Sequence, residues 1–177
     1  LILGFVTIYK KHLSPITVHI YAVIQGIFLG AISYTFNSLY DGIVITAISY
    51  TLSILFVMLT LYRTGIIKPT ENFKLGVAAG TGGIALIYLA NFVMSFFGTG
   101  LSIMDINNAS MYSIGFSLLV IVMASLNLVV DFDFIEEGSE KRAPKYMEWY
   151  GAFGLLVTLI WLYLEILRLL AKMNSRK

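Results

Sequence analysis

Two acids in this chain sit where acids are expensive. Glu165 lies inside the apolar run Trp161-Leu162-Tyr163-Leu164-Glu165-Ile166-Leu167-Arg168. Asp131 ends another, Leu126-Asn127-Leu128-Val129-Val130-Asp131-Phe132-Asp133-Phe134. An ionised side chain at the centre of a spanning helix costs about 2.5–3.5 kcal/mol on insertion scales, so such groups face protein or water. Two chemistries fit Glu165. Arg168, three residues on, shares its helical face and can form a local ion pair. An uncompensated carboxylate there would instead take up a proton or a cation. Asp131 follows Asn127 at i, i+4, which builds a polar stripe down one helix face. Asp133 points elsewhere, so Asp131 is the preferred inward group. Glu136, Glu137 and Glu140 read as a solvated loop.

Other chemistries have little support. The chain has no Cys and two His, which excludes disulfides, zinc–thiolate sites and thiol catalysis. No H-E-x-x-H, G-x-S-x-G or P-loop occurs, and Thr81-Gly82-Gly83 is flanked by apolar helix rather than by a phosphate cradle. No enzyme, cofactor or bound metal is expected. Twelve Lys and Arg against ten Asp and Glu leave a net charge of +2, too little to expect a nucleic-acid partner. His19, Gln25 and Asn91 read as interhelical hydrogen-bond partners.

The elements that carry these residues are membrane helices. Of the 177 residues 58% are hydrophobic and 12% charged, and mean hydropathy is +0.84. A soluble domain carries about 25% charged residues. Five apolar segments, 16–36, 43–62, 75–97, 112–130 and 149–170, are each near the ~20 residues that a spanning helix needs. Leu1–Tyr9 reads as the tail end of a further span, so the sequence resembles a fragment. No strand alternation and no second domain are expected. The fold class is all-α, a polytopic membrane protein in contact with the lipid bilayer.

Loop charge alternates. Lys10, Lys11, Arg63, Lys68, Lys74, Lys141, Arg142 and Lys145 place eight basic residues in the first, third and fifth loops, and none falls in the second and fourth. The positive-inside rule puts the odd loops in the cytoplasm. The tail, with Arg168, Lys172, Arg176 and Lys177, is then basic on the other side. Either the last helix spans with its cations outside, or Arg168 and Lys172 snorkel to an interface. A full span is preferred, because 149–164 holds no charge.

Two G-x-x-x-G patterns are present, Gly26–Gly30 and Gly76–Gly80, the second extended by Gly83. Small residues at this spacing let helix backbones approach. Intramolecular packing is the expected use, with dimerisation the other. Gly26→Leu and Gly80→Leu are both expected to destabilise.

The segment Ile20–Ser33, the run Tyr62-Arg63-Thr64-Gly65, the stretch Leu126–Phe134 and the stretch Trp161–Leu170 resemble the Bax inhibitor-1 superfamily, most closely its bacterial Bax inhibitor-1/YccA-like branch. The resemblance covers essentially the whole chain. It implies seven transmembrane helices with six wrapped around a central seventh, of which this chain would hold helices two to seven. It implies a pH-sensitive calcium leak, with a proton-sharing pair of carboxylates on helices six and seven. Asp131 matches the first of these, and Glu165 the second, as a Glu where an Asp is usual. The family's helix-two latch falls before residue 1, so no residue here takes that role.

Asp131 and Glu165 are 34 positions apart. A last helix starting near Tyr146 would put Glu165 about 28 Å along it, out of reach of Asp131. The two meet only if 143–150 is an interfacial preamble, or if the last helix is tilted or broken, with Gly151 and Gly154 as the place for a break. The expected function is a pH-gated cation leak, with calcium as the ion, in a bacterial plasma membrane. The competing class is a membrane regulatory protein that binds a membrane protease or another membrane protein without transport of its own.

Overall fold

The computed structural model describes residues 2–106 and 108–175, so Arg176 and Lys177 of the basic tail lie outside the described residues. Among the described residues six α-helices follow in order: α1 (Ile2–Tyr9), α2 (Ser14–Leu39), α3 (Ile43–Arg63), α4 (Glu71–Phe96), α5 (Met111–Glu140) and α6 (Tyr146–Asn174). Two 3-10 turns, Lys11–Leu13 and Ser102–Met104, lie between them, and no strand occurs among the described residues. The five helices after α1 are long and apolar enough to cross a membrane.

Local sequence accounts for the ends. Pro15 sits in the first turn of α2, where its missing N–H removes no bond. After α3, Gly65 takes φ +70°. The Ile66 amide then donates to the Leu61 carbonyl at 3.1 Å, and the Gly65 amide to Tyr62 at 3.0 Å. That is a Schellman closure, which needs a left-handed residue at this point. Thr70 caps α4 by accepting from the Phe73 amide at 3.3 Å, and Ser110 caps α5 in the same way through Ser113.

The last helix is the hub. α6 packs on α5, α3 and α2, and Leu162 and Leu167 on it are fully buried together with Leu128 and Val129 of α5 and Ala47 of α3. α4 is peripheral. It packs on α5, and Leu75, Leu86, Leu89 and Phe92 project outward from it, as suits side chains facing lipid.

Three contacts fix which loops share an end. Ser14 Oγ donates to the Tyr146 carbonyl at 2.6 Å, joining the starts of α2 and α6. Lys74 pairs with Asp133 at 2.6 Å, and the Tyr62 hydroxyl donates to Glu136. The three basic loops therefore lie together at one end. The end of α6 lies at the other, beside the segment between α4 and α5.

One expectation is corrected. The fifth loop was expected over Asp131–Lys145, but α5 continues to Glu140 and only 141–145 connects it to α6. The reason is that Phe132, Phe134 and Ile135 prolong the packing surface; Phe132 is buried, and Phe134 stacks near Tyr150 with centroids 5.8 Å apart. The last helix does start at Tyr146, and the break at Gly151 and Gly154 that would have let the two acids meet does not occur. α6 is one continuous helix through both, and the glycines serve close approach instead. A Cβ at Gly151 would stand 2.9 Å from Ile135 Cγ1, and one at Gly154 would stand 3.2 Å from Asp131 Oδ1.

Candidate functional site

The polar groups along α6 fall into two clusters. The first lies toward the basic end. Gly154 leaves room for Asp131 of α5 to come close to the backbone of α6, and Asp131 Oδ2 accepts a hydrogen bond from Thr158 Oγ1 at 2.6 Å. An ionised carboxylate only accepts, so the hydroxyl must donate. Among the described residues no cation forms an ion pair with Asp131. It lines a cavity of about 410 Å³ together with Ile8, Phe134, Tyr150, Phe153 and Thr158. α1 reaches this region too: Thr7, fully buried, donates to Thr17 of α2 at 2.8 Å.

The second cluster begins two turns further along α6. Glu165 is 1% exposed. Its Oε2 accepts from the Tyr88 hydroxyl of α4 at 2.6 Å and from Arg168 Nη1 at 2.7 Å. Arg168 Nη1 also donates to the Tyr88 hydroxyl at 2.9 Å, with its guanidinium 5.4 Å from the Tyr88 ring centroid. Glu165 Oε1 has no hydrogen-bond partner among the described residues. The local ion pair is thus present, and Tyr88 ties it to α4. One turn beyond Arg168, the fully buried Lys172 donates to three oxygens of the α4–α5 connection and of α5.

Asp131 and Glu165 do not bond to each other. Asp131 meets α6 at Thr158, seven residues before Glu165, a separation of about 10 Å along the helix axis. Asp133 points away from Asp131, as its position two residues on requires, and pairs with Lys74, which also stands 3.6 Å from Glu71. Asn127 turns toward α4, donating to Thr81 Oγ1 at 2.7 Å and to the Met123 carbonyl at 2.9 Å. The stripe read from the sequence therefore splits, Asn127 to α4 and Asp131 to α6.

The glycine expectation needs correction as well. A Cβ at Gly80 would collide with Met123 of α5, so this residue does pass another helix closely. At Gly26, Gly30, Gly76 and Gly83 nothing among the described residues lies within 4 Å of that position. Their faces look outward, so among the described residues only Gly80 of these patterns meets another helix. Gly151 and Gly154 do that work, at i, i+3 rather than i, i+4. Tyr88 and Thr158 were not singled out in the sequence either, and Thr81 only as the start of Thr81-Gly82-Gly83. A lone hydroxyl in an apolar run gives no signal until its helix is placed against an acid.

No group of three or more His, Cys, Asp or Glu side chains that could hold a metal ion occurs among the described residues. Apolar spanning helices gathered on a last helix that carries buried charge define a polytopic all-α membrane protein. A family model described as Bax inhibitor 1 like matches residues 1–175, and the chain belongs to that family. Comparison with curated proteins finds no match, and comparison with solved structures finds none.

Proposed function

We propose that this protein is a pH-sensitive cation leak of the bacterial plasma membrane, with Asp131 as its proton-responsive group and the three basic loops on the cytoplasmic side. One observation carries the reading. Of the three acids that the sequence singles out, Glu165 is compensated by Arg168 and Asp133 by Lys74, whereas Asp131 is held by a neutral hydroxyl at the wall of a cavity.

Its charge does two things there. It attracts cations into the cavity, and it keeps the Thr158 hydroxyl turned toward α5. Protonation removes the charge and adds an O–H donor, so both effects change together. Carboxylate oxygen is a hard donor of the kind calcium takes, which makes calcium the favoured ion. Eight basic residues in three loops that share one end of the bundle support the orientation.

The competing function is regulatory binding of a membrane partner without transport. Purified protein in liposomes loaded with a calcium dye separates the two. The leak reading predicts calcium entry that depends on protein dose and on pH. Vesicles that stay silent across the pH range would leave the binding function in its place.

A further inference from the structure

Lys172 is the least expected group in the molecule. It lies in the last turn of α6, fully buried, in a helix that could have closed the bundle with Leu. Its Nζ donates to the Ile103 carbonyl at 2.9 Å, to Ser117 Oγ at 3.0 Å and to the Ser113 carbonyl at 3.2 Å. An ammonium has three donors and no acceptor, and three oxygens meet it. Two of them are carbonyls that can only accept, and the ammonium form can donate to all three.

Among the described residues no carboxylate hydrogen bond to it is seen. Glu165, Arg168 and Asp105 are the charged groups that act on it from a distance. A purely structural tie between α6 and α5 would need only a hydroxyl or an amide, since a buried charge without an anionic partner is a costly way to join two helices. The cage is built independently of the lysine. The Ser113 hydroxyl donates to the Ile103 carbonyl at 2.8 Å, which fixes the turn Ser102–Met104 against α5, and both serines are fully buried.

Two carbonyls and a hydroxyl converging on one point are the donor set of a cation site. Their distances of 2.9–3.2 Å are longer than the about 2.3–2.6 Å of calcium coordination, and calcium sites favour carboxylates, whereas none of these three oxygens is one. The set suits a monovalent cation of about ammonium size. We propose that the three oxygens around Lys172 form a monovalent-cation site that the chain's own ammonium keeps filled, so that Lys172 plugs the end of the bundle remote from Asp131. The plugging role rests on the leak reading; the cation site does not.

Two measurements on the whole protein test this. In detergent, thermal unfolding of Lys172→Ala is compared in potassium chloride and in choline chloride at equal ionic strength. A free cation that replaces the ammonium should raise the midpoint of the variant by about 3 °C or more in potassium. The parent should not respond, and adding Ser117→Ala should reduce the rise. Equal midpoints in both salts, or failure to fold in either, would overturn the site. In liposomes, Lys172→Gln, one atom shorter, keeps a donor but removes the charge. Thallium influx should rise about tenfold over the parent, as expected when a fixed cation is removed from a cation path. A folded Lys172→Gln that conducts no better than the parent would overturn the plug. Vesicles in which neither parent nor variant conducts any cation would count against the leak and the plug together, while the potassium effect on Lys172→Ala still decides the site.

Discussion

The two ends of α6 handle charge in opposite ways. Toward the basic loops, Asp131 faces a cavity with a single neutral hydroxyl for company. Toward the other end, Glu165 has a guanidinium and a phenol, and Lys172 has an acceptor for each of its protons. The first arrangement leaves a charge whose state can change at little structural cost. The second leaves charges that hold three helices and a connecting segment in place. Burial alone does not mark a responsive group; what surrounds the group does.

Breaking the locked end should produce the largest effect. Arg168→Met strips Glu165 of its cation and leaves a carboxylate 1% exposed. Removing one member of a buried ion pair costs about 3–5 kcal/mol. Thermal unfolding in detergent should show that loss, and Arg168→Lys should restore only part of it, because a point charge cannot also lie over the Tyr88 ring. A variant as stable as the parent would mean that this end is not locked by charge.

Close packing comes next. Gly154→Leu drives a side chain against Asp131, and overpacking of this kind costs about 1–3 kcal/mol. Gly26→Leu, on an open outward face, should unfold at the parent's temperature. Equal losses from the two would indicate that Gly26 does meet another helix.

The contrast between these glycines shows what could be read from the sequence. Helix number, approximate spans, the all-α class and the family follow from apolar runs and short motifs, because lipid requires long apolar helices and little else satisfies it. The Arg168–Glu165 pair was legible too, since it depends only on i, i+3 spacing. Which face of a helix meets which neighbour is not written in spacing. Gly26–Gly30 has the small-residue pattern and, among the described residues, no neighbour within 4 Å of an added Cβ, while Gly151 and Gly154, a possible place for a break, are the point where α5 approaches. The same limit explains Thr158 and Tyr88, whose value lies in a partner 27 and 77 residues away in sequence. Loop boundaries failed for a different reason: α5 keeps burying aromatic surface beyond its first acids, so charge alone did not end it.

The smallest structural effect should come from the α4–α5 tie. Asn127→Ala and Thr81→Ala remove the same hydrogen bond, and interhelical bonds of this kind average about 0.6 kcal/mol, with about 1.7 as the upper end. The double variant should lose little more than either single one. Fully additive losses would mean that the two side chains do not depend on each other.

The most direct test of the central claim is the pH profile of calcium flux for Asp131→Asn in liposomes, measured beside the parent and Asp133→Asn. An uncompensated Asp131 that responds to protons predicts a flat profile for Asp131→Asn, and a profile for Asp133→Asn that keeps the parent's shape, since Asp133 is tied to Lys74. An Asp131→Asn protein that conducts with the parent's full pH dependence would contradict the account and leave this residue as a carboxylate that does no more than hold Thr158.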